Sequence, residues 1–411
     1  MTIVGPNLFK GVAVVIDNGI DEEESITQIL DNIAKSGGHT IKLKEIPGGS
    51  FDLEHFSNAA FFVMDWNLLN GDDGKPLPRE VTVPQALKKE MVARNIEFLK
   101  RLSKSRHAPV FIFTNEDTGE VEELLAAHED LSRGAEESHI LVKSKSDVLD
   151  KVYEVLEEWG NARPSVVTLK TWEKTLNKAA NELFVDLHNK TPFWPVVFWQ
   201  TFDADGVPQS SEMMRLLNRL VESRLGTPDL DLSSFGPALK QKQDADEAQY
   251  LKSVHMVLEG ERFLRDARLE KGAYAPGDLF LLPNEKGPPS YYMNIRPECD
   301  CIRGGDDHEL YLLKVREVDP VINEEFGAIT DELHNEAIVF AMLDGKTFSI
   351  KFKDIKVKKL KALRDYRVGR LLAPFVTRVQ QRYSTYLQRP GLPRVPPSLI
   401  KVPESNAVAA E

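Results

Sequence analysis

Phe61-Phe62-Val63-Met64-Asp65-Trp66-Asn67-Leu68 sets the architecture of this chain. Four apolar residues in a row, two of them aromatic, have the pattern of a strand buried on both faces, as in a parallel sheet. The run stops on a carboxylate. In open α/β sheets the chemistry lies outside the carboxyl ends of the strands. Asp65 is therefore a reactive-site candidate on position alone, with a turn or helix-capping aspartate as the bland alternative.

The same pattern recurs on either side of it. Gly11 to Ile16 is an apolar strand ending on Asp17, and Asn18-Gly19 turns the chain into a helix over Glu23–Lys35, closed by Gly37-Gly38. Thr40–Lys44 alternates as a short strand, and Phe51–Asn58 reads as a short helix. After a polar excursion from Asn70 to Thr82, Pro84–Lys104 reads as a helix. Ala108–Thr114 is a fourth strand, Glu120–His128 a helix, His139–Lys143 a fifth strand and Asp147–Trp159 a final helix. Five βα units in succession predict a doubly wound parallel sheet with helices on both faces.

Four of the five strands end on Asp17, Asp65, Thr114 and Lys143, which should project at one sheet edge. This set, in this order, resembles the receiver domain of bacterial two-component response regulators over residues 8–160, and Asp65-Trp66-Asn67 matches the tripeptide at the phosphoacceptor of the single-domain chemotaxis regulator. The resemblance implies strand order 2-1-3-4-5. It makes Asp65 the nucleophile, phosphorylated by a partner sensor histidine kinase or other phosphodonor. Mg2+ would be held by Asp17, Asn18, Asp65 and the carbonyl of Asn67. Lys143 would pair with the phosphoryl group, and the Thr114 hydroxyl would hydrogen-bond to it. The physical need is plain: a carboxylate attacking a phosphorus ringed by anionic oxygens requires cations to screen the repulsion. Three positions depart from the family pattern. Asn18 stands where a second acid is usual. Ile140, three residues before Lys143, stands where an aromatic is common. Ser144 stands where proline generally follows the lysine.

At 411 residues the chain is too long for one ordinary core. The reading divides it into a receiver (1–160), a helical scaffold (161–272), a small β-barrel with a basic C-terminal helix (273–388) and a flexible tail (389–411). No run of eighteen apolar residues suits a membrane crossing, and the first residues lack a signal-peptide pattern, so a cytoplasmic location is expected. Cys299 and Cys301 are too few for a disulfide framework and would share one face of a strand as buried thiols.

In the middle region Arg163-Pro164-Ser165 reads as a linker and Trp172–His188 as a helix. The aromatic stretch Pro192–Trp199 is read as core packing in preference to a partner-binding face. Thr227–Asp246 reads as a polar connector and Ala248–Leu269 as a long amphipathic helix. Short strands from Pro276 onward, with Asp344-Gly345 as a hairpin signal, suggest the barrel; its Gly277-Asp278 opening and the Pro297-Glu298-Cys299-Asp300 segment loosely resemble small SH3-like barrels in bacterial defence and toxin-related proteins.

The net charge of −12 is uneven: Lys346–Arg394 carries fourteen Lys/Arg against two Asp, leaving −24 for the rest. Nine of the cations fall between Lys351 and Arg370, with a helix expected over Val368–Leu387. Such a stripe is a candidate nucleic-acid track through Lys351–Arg389, or a dock for an acidic partner. The leading expectation is a phosphorylated signalling protein whose receiver controls a C-terminal interaction or effector module and its protein output partner. The alternatives are an unphosphorylated pseudo-receiver serving docking or assembly, including in a bacterial defence system, and a nucleic-acid-binding regulator.

Overall fold

The computed structural model describes residues 8–388, apart from 50–51, 57, 72–74, 78–80, 82, 106–108, 129, 132–137, 229, 285–286, 304, 306, 319–335 and 345. The segment expected to be a tail, 389–411, lies outside the described residues. The chain forms two compact units, one of Met1–Trp194 with Leu216–Ala238, the other of Pro195–Arg215 with Leu239–Glu411. The span read as a separate helical scaffold is thus shared between them.

In the first unit the elements run β1 (Val12–Ile16), α1 (Glu24–Lys35), β2 (His39–Leu43), β3 (Ala59–Met64), α2 (Gln85–Ser105), β4 (Val110–Thr114), α3 (Thr118–Ala126), β5 (Ile140–Ser144) and α4 (Val152–Asn161). All five strands are parallel, in the order β2-β1-β3-β4-β5. Alternate residues feed opposite cores, as the two-residue side-chain period requires. Val14, Ile16, Phe62, Met64 and Ile112 pack under α2 and α3. Ala13, Val15, Phe61, Val63, Phe111 and Phe113 pack against α1 and α4. Phe111 anchors the second core, with edge-on contacts to Phe9, Phe61 and Trp159. Burying each such side chain contributes roughly 1.5–3 kcal/mol, so the central strands are firmly held.

Three local expectations change. Within Phe51–Asn58 the described residues form a 3-10 turn, Leu53–Phe56, in place of a helix. The last helix of the sheet starts later than expected, after a 3-10 turn at Lys145–Asp147. Arg163-Pro164-Ser165 is no linker: Pro164 opens α5 (Pro164–Lys190), where a missing N–H costs nothing, and Val166 and Val167 lie in the second core.

α6 (Trp194–Ala204), α7 (Gln209–Glu222), α8 (Gly236–Ala245) and α9 (Glu247–Arg262) follow. α8 lies inside the expected polar connector, and α9 ends where a strand begins at Phe263. The aromatic stretch is not core. α6 has no buried residue, and Phe193 is 69% exposed and Trp199 46%.

The remaining strands are β6 (Phe263–Arg265), β7 (Asp278–Asn284), β8 (Gly287–Asn294), β9 (Glu309–Val318), β10 (Glu336–Leu343), β11 (Lys346–Lys359) and β12 (Arg367–Leu371). They form one seven-stranded antiparallel sheet, β10-β11-β9-β8-β7-β12-β6, with α10 (Glu298–Arg303) and the C-terminal α11 (Phe375–Gln388). Cys299 and Cys301 sit on α10 rather than on a strand, so one is exposed and the other buried. The helix expected over Val368–Leu387 starts only at Phe375, because Val368–Leu371 pairs in the sheet and Pro374 bars Ala373 from helical geometry.

Candidate functional site at the carboxyl edge of the parallel sheet

Parallel register brings the ends of β1 and β3 level, with Ile16 opposite Met64, so Asp17 and Asp65 leave the sheet side by side. The Asp65 amide donates to the Ile16 carbonyl at 2.9 Å, and the Asp17 amide to the Leu43 carbonyl at 2.9 Å. Both side chains are buried, as is Thr114 at the end of β4. The Thr114 Oγ1 accepts from the Glu116 amide at 3.1 Å. Beyond Asp65 the loop is pinned by Asn95 on α2, whose amide donates to the Trp66 carbonyl at 2.7 Å. Asn67 donates to Glu116 Oε1 at 2.8 Å, joining the loops after β3 and β4.

The lysine of the site is Lys145, not Lys143. Lys143 is exposed on the edge strand, sharing the face of half-buried Leu141, while Ile140 and Val142 fill the core opposite. The chain then turns through the 3-10 segment and delivers Lys145 over the edge, fully buried. Its Nζ lies 2.8 Å from Asp17 Oδ2, 2.9 Å from Asp65 Oδ2 and 3.1 Å from Glu23 Oε2. The two departures counted from Lys143 therefore move: Val142 stands three residues before the site lysine and Ser146 follows it. Both remain non-aromatic and non-proline.

Sequence reasoning also missed Glu23. It precedes α1 as one of three consecutive glutamates, and nothing in that run marks which one turns inward. For Lys145 a signal was available. Lys143 ends an edge strand, where the last side chain can reach solvent past the helices, and the next lysine falls in the turn above the sheet.

Asn18 does not face Asp65. Its amide N–H groups donate to the Leu69 carbonyl at 2.9 Å and to Asn70 Oδ1 at 2.8 Å, clasping the loop after β3. Among the described residues no three His, Cys, Asp or Glu side chains are grouped so as to hold a metal ion. Asp17, Asp65 and Glu23 are gathered round an ammonium instead. Their chemistry still suits a hard divalent cation: all the donors are oxygens, and three carboxylates exceed Lys145 by two negative charges.

That excess appears in the proton affinities. The Asp65 carboxyl is raised to about 6, by burial first and then by the charges of Asp17 and Glu23, against the pull of Lys145. Asp17 is raised as well, by burial first and against the pull of Lys145. Burial alone would lower Lys145, but Asp65 and Asp17 more than reverse it and hold the ammonium above the ordinary lysine range. One Asp65 oxygen keeps capacity. Oδ2 is taken by Lys145, while among the described residues Oδ1 meets only the Asn67 amide, at a long 3.4 Å. Trp66, Asn67 and Glu116 also line a cavity of about 690 Å3 between α2 and α3, with Met91, Ile96 and Leu124 among its apolar walls.

No family model matches this chain, and no curated protein matches it. No helix among the described residues is long and apolar enough to cross a membrane.

Proposed function

We propose that this chain is a receiver-like signalling protein that accepts a phosphoryl group on Asp65. The observation that carries this reading is the buried bridge of Lys145 to both Asp17 and Asp65, at the edge where Thr114 also ends its strand. Asp65 Oδ1 is the nucleophile. It forms the new O–P bond, and the bond from phosphorus to the donor breaks with its electron pair leaving on the donor atom. Lys145 neutralises charge gathering on the phosphoryl oxygens, and the Thr114 hydroxyl, which ends its strand at the same edge, donates a hydrogen bond to one of them. Asp17, Asp65 and the Asn67 carbonyl would hold Mg2+, which supplies further screening of the phosphoryl charge when bound. Because Asn67 and Glu116 join this edge to the cavity between α2 and α3, that cavity is where a protein partner would sense the modification.

The test is incubation with acetyl phosphate and Mg2+, followed by intact-mass measurement of wild type and Asp65→Asn. The reading requires one acid-labile phosphoryl group on wild type and none on the variant. An unlabelled wild type would overturn it.

A second reading, an assembly module, is favoured by the exposed side chains of Trp172 and Phe184 on α5, Trp199 on α6 and Phe193 in the turn between them. The nucleic-acid reading has less to stand on. Arg367 and Arg370 are committed to Asp266 and Asp278, and Lys359 and Lys361 to Asp307.

A further inference from the structure

An ammonium has three N–H donors, and in a fully buried lysine each needs an acceptor. For Lys145, Asp17 and Asp65 take two. The third goes to Glu23 Oε2, which also accepts from Ser25 Oγ at 3.3 Å and Asn115 Nδ2 at 3.4 Å. Glu23 occupies the N-cap of α1, a position where Ser, Thr, Asp or Asn would ordinarily bond the first-turn amides. Its side chain makes no capping bond. It turns inward instead, across Gly19, where a Cβ would fall 2.7 Å from Glu23 Cγ. An unused cap, a glycine that leaves the path clear and a three-point grip on one ammonium all point the same way.

We propose that Glu23 is a positioning residue of the phosphoacceptor site, taking the third N–H of Lys145 and so fixing the ammonium beside Asp65. This role rests on the phosphoacceptor reading for its consequence, but the grip itself is measurable without any phosphoryl group. Glu23 is about a third exposed, so a Gln variant is tolerated by the fold.

The experiment compares wild type, Glu23→Gln and the surface control Asp21→Asn, each as the full chain with 15N-labelled lysine. NMR of the lysine ammonium groups should show an ordered, slowly exchanging Lys145 signal in wild type and Asp21→Asn. That signal should broaden or vanish in Glu23→Gln. Labelling by acetyl phosphate at varied concentration is read on the same proteins. The expected split is a maximal rate lower by about tenfold in Glu23→Gln, with the half-saturating concentration unchanged or lower. A Glu23→Gln protein that keeps both the ammonium signal and the maximal rate overturns the proposal. If wild type takes no label at all, the phosphoacceptor reading fails, and the ammonium signal alone decides whether Glu23 grips Lys145.

Discussion

Each unit of the molecule buries a carboxylate against cations, and the two solutions differ in balance. Asp278, fully buried at the start of β7, accepts from Arg370 Nε at 2.6 Å, from a second Arg370 nitrogen at 3.2 Å and from the Ala275 amide at 2.8 Å, with Arg367 3.8 Å away. Two arginines serve one acid, and the acid's oxygens are filled. At the edge of the parallel sheet three acids share one lysine, and Asp65 Oδ1 is almost unengaged. Burial raises both carboxyls from the usual range; at Asp278 the Arg370 fork works against that rise, and at Asp65 neighbouring acids add to it. The first arrangement is a closed structural pair. The second stores repulsion and keeps an oxygen available, which is what a nucleophile needs.

The most damaging way to break the comparison is to remove the cation from either side. Arg370→Met leaves Asp278 buried beside only the more distant Arg367 and should cost about 3–5 kcal/mol in urea denaturation. Lys145→Met should cost a similar amount at pH 8, also about 3–5 kcal/mol. Its deficit should shrink as pH falls, because the stranded carboxyls, raised further without the ammonium, take up protons. A backbone probe comes next. At Gly277, with φ +89°, a Cβ would meet the Leu371 carbonyl at 2.1 Å, so Gly277→Ala should cost about 2 kcal/mol or more.

Removing the acids tests the same balance from the other side. Asp278 is raised by burial as well, so at pH 8 Asp278→Asn relieves the cost of a buried ionised carboxyl while stranding the Arg370 fork, and it should change stability by less than Asp65→Asn does. Asp65→Asn should stabilise by about 1–3 kcal/mol at pH 8. The sign follows from linkage: a carboxyl whose folded pKa lies above its unfolded value costs stability when ionised. The gain is therefore full above pH 6 and fades as pH falls toward 3.8. Thermal melts of both variants from pH 4 to 8 check this. Gly19→Ala comes last: the new Cβ pushes Glu23 aside and leaves one N–H of the buried Lys145 without its acceptor, so it should cost about 1–3 kcal/mol. Activity should follow the same titration, with Asp65 labelling in wild type rising as pH passes about 6.

The parallel sheet was legible because its three central strands are buried on both faces, so each of their apolar runs ends where the chain meets the edge. Asp17, Asp65 and Thr114 could be placed for that reason. Lys145 could not, because reading a strand as ending on its first polar residue stops at Lys143. On an edge strand that residue faces solvent, and the functional side chain comes from the following turn. Glu23 was hidden because nothing local separates an N-cap glutamate that caps from one that turns inward. In the antiparallel unit five of the seven strands were legible, while Phe263–Arg265 and Val368–Leu371 were read as helix, and the destination of the basic residues was not legible: Arg367 and Arg370 answer a buried acid about ninety positions earlier. The aromatic run Pro192–Trp199 misled for the opposite reason, since apolar density implies burial only where a partner surface exists, and α6 leaves Phe193 and Trp199 exposed.

The central claim is that Asp65 and Lys145 form one reactive pair while Lys143 stands apart. Acetyl phosphate labelling of wild type, Asp65→Asn, Lys145→Arg and Lys143→Arg, each checked for folding by circular dichroism, tests it directly. The account predicts full labelling of wild type and Lys143→Arg, none on Asp65→Asn, and a strong loss for Lys145→Arg, whose fork cannot occupy the same point among the carboxylates. Undiminished labelling of Lys145→Arg, or a loss confined to Lys143→Arg, would contradict it.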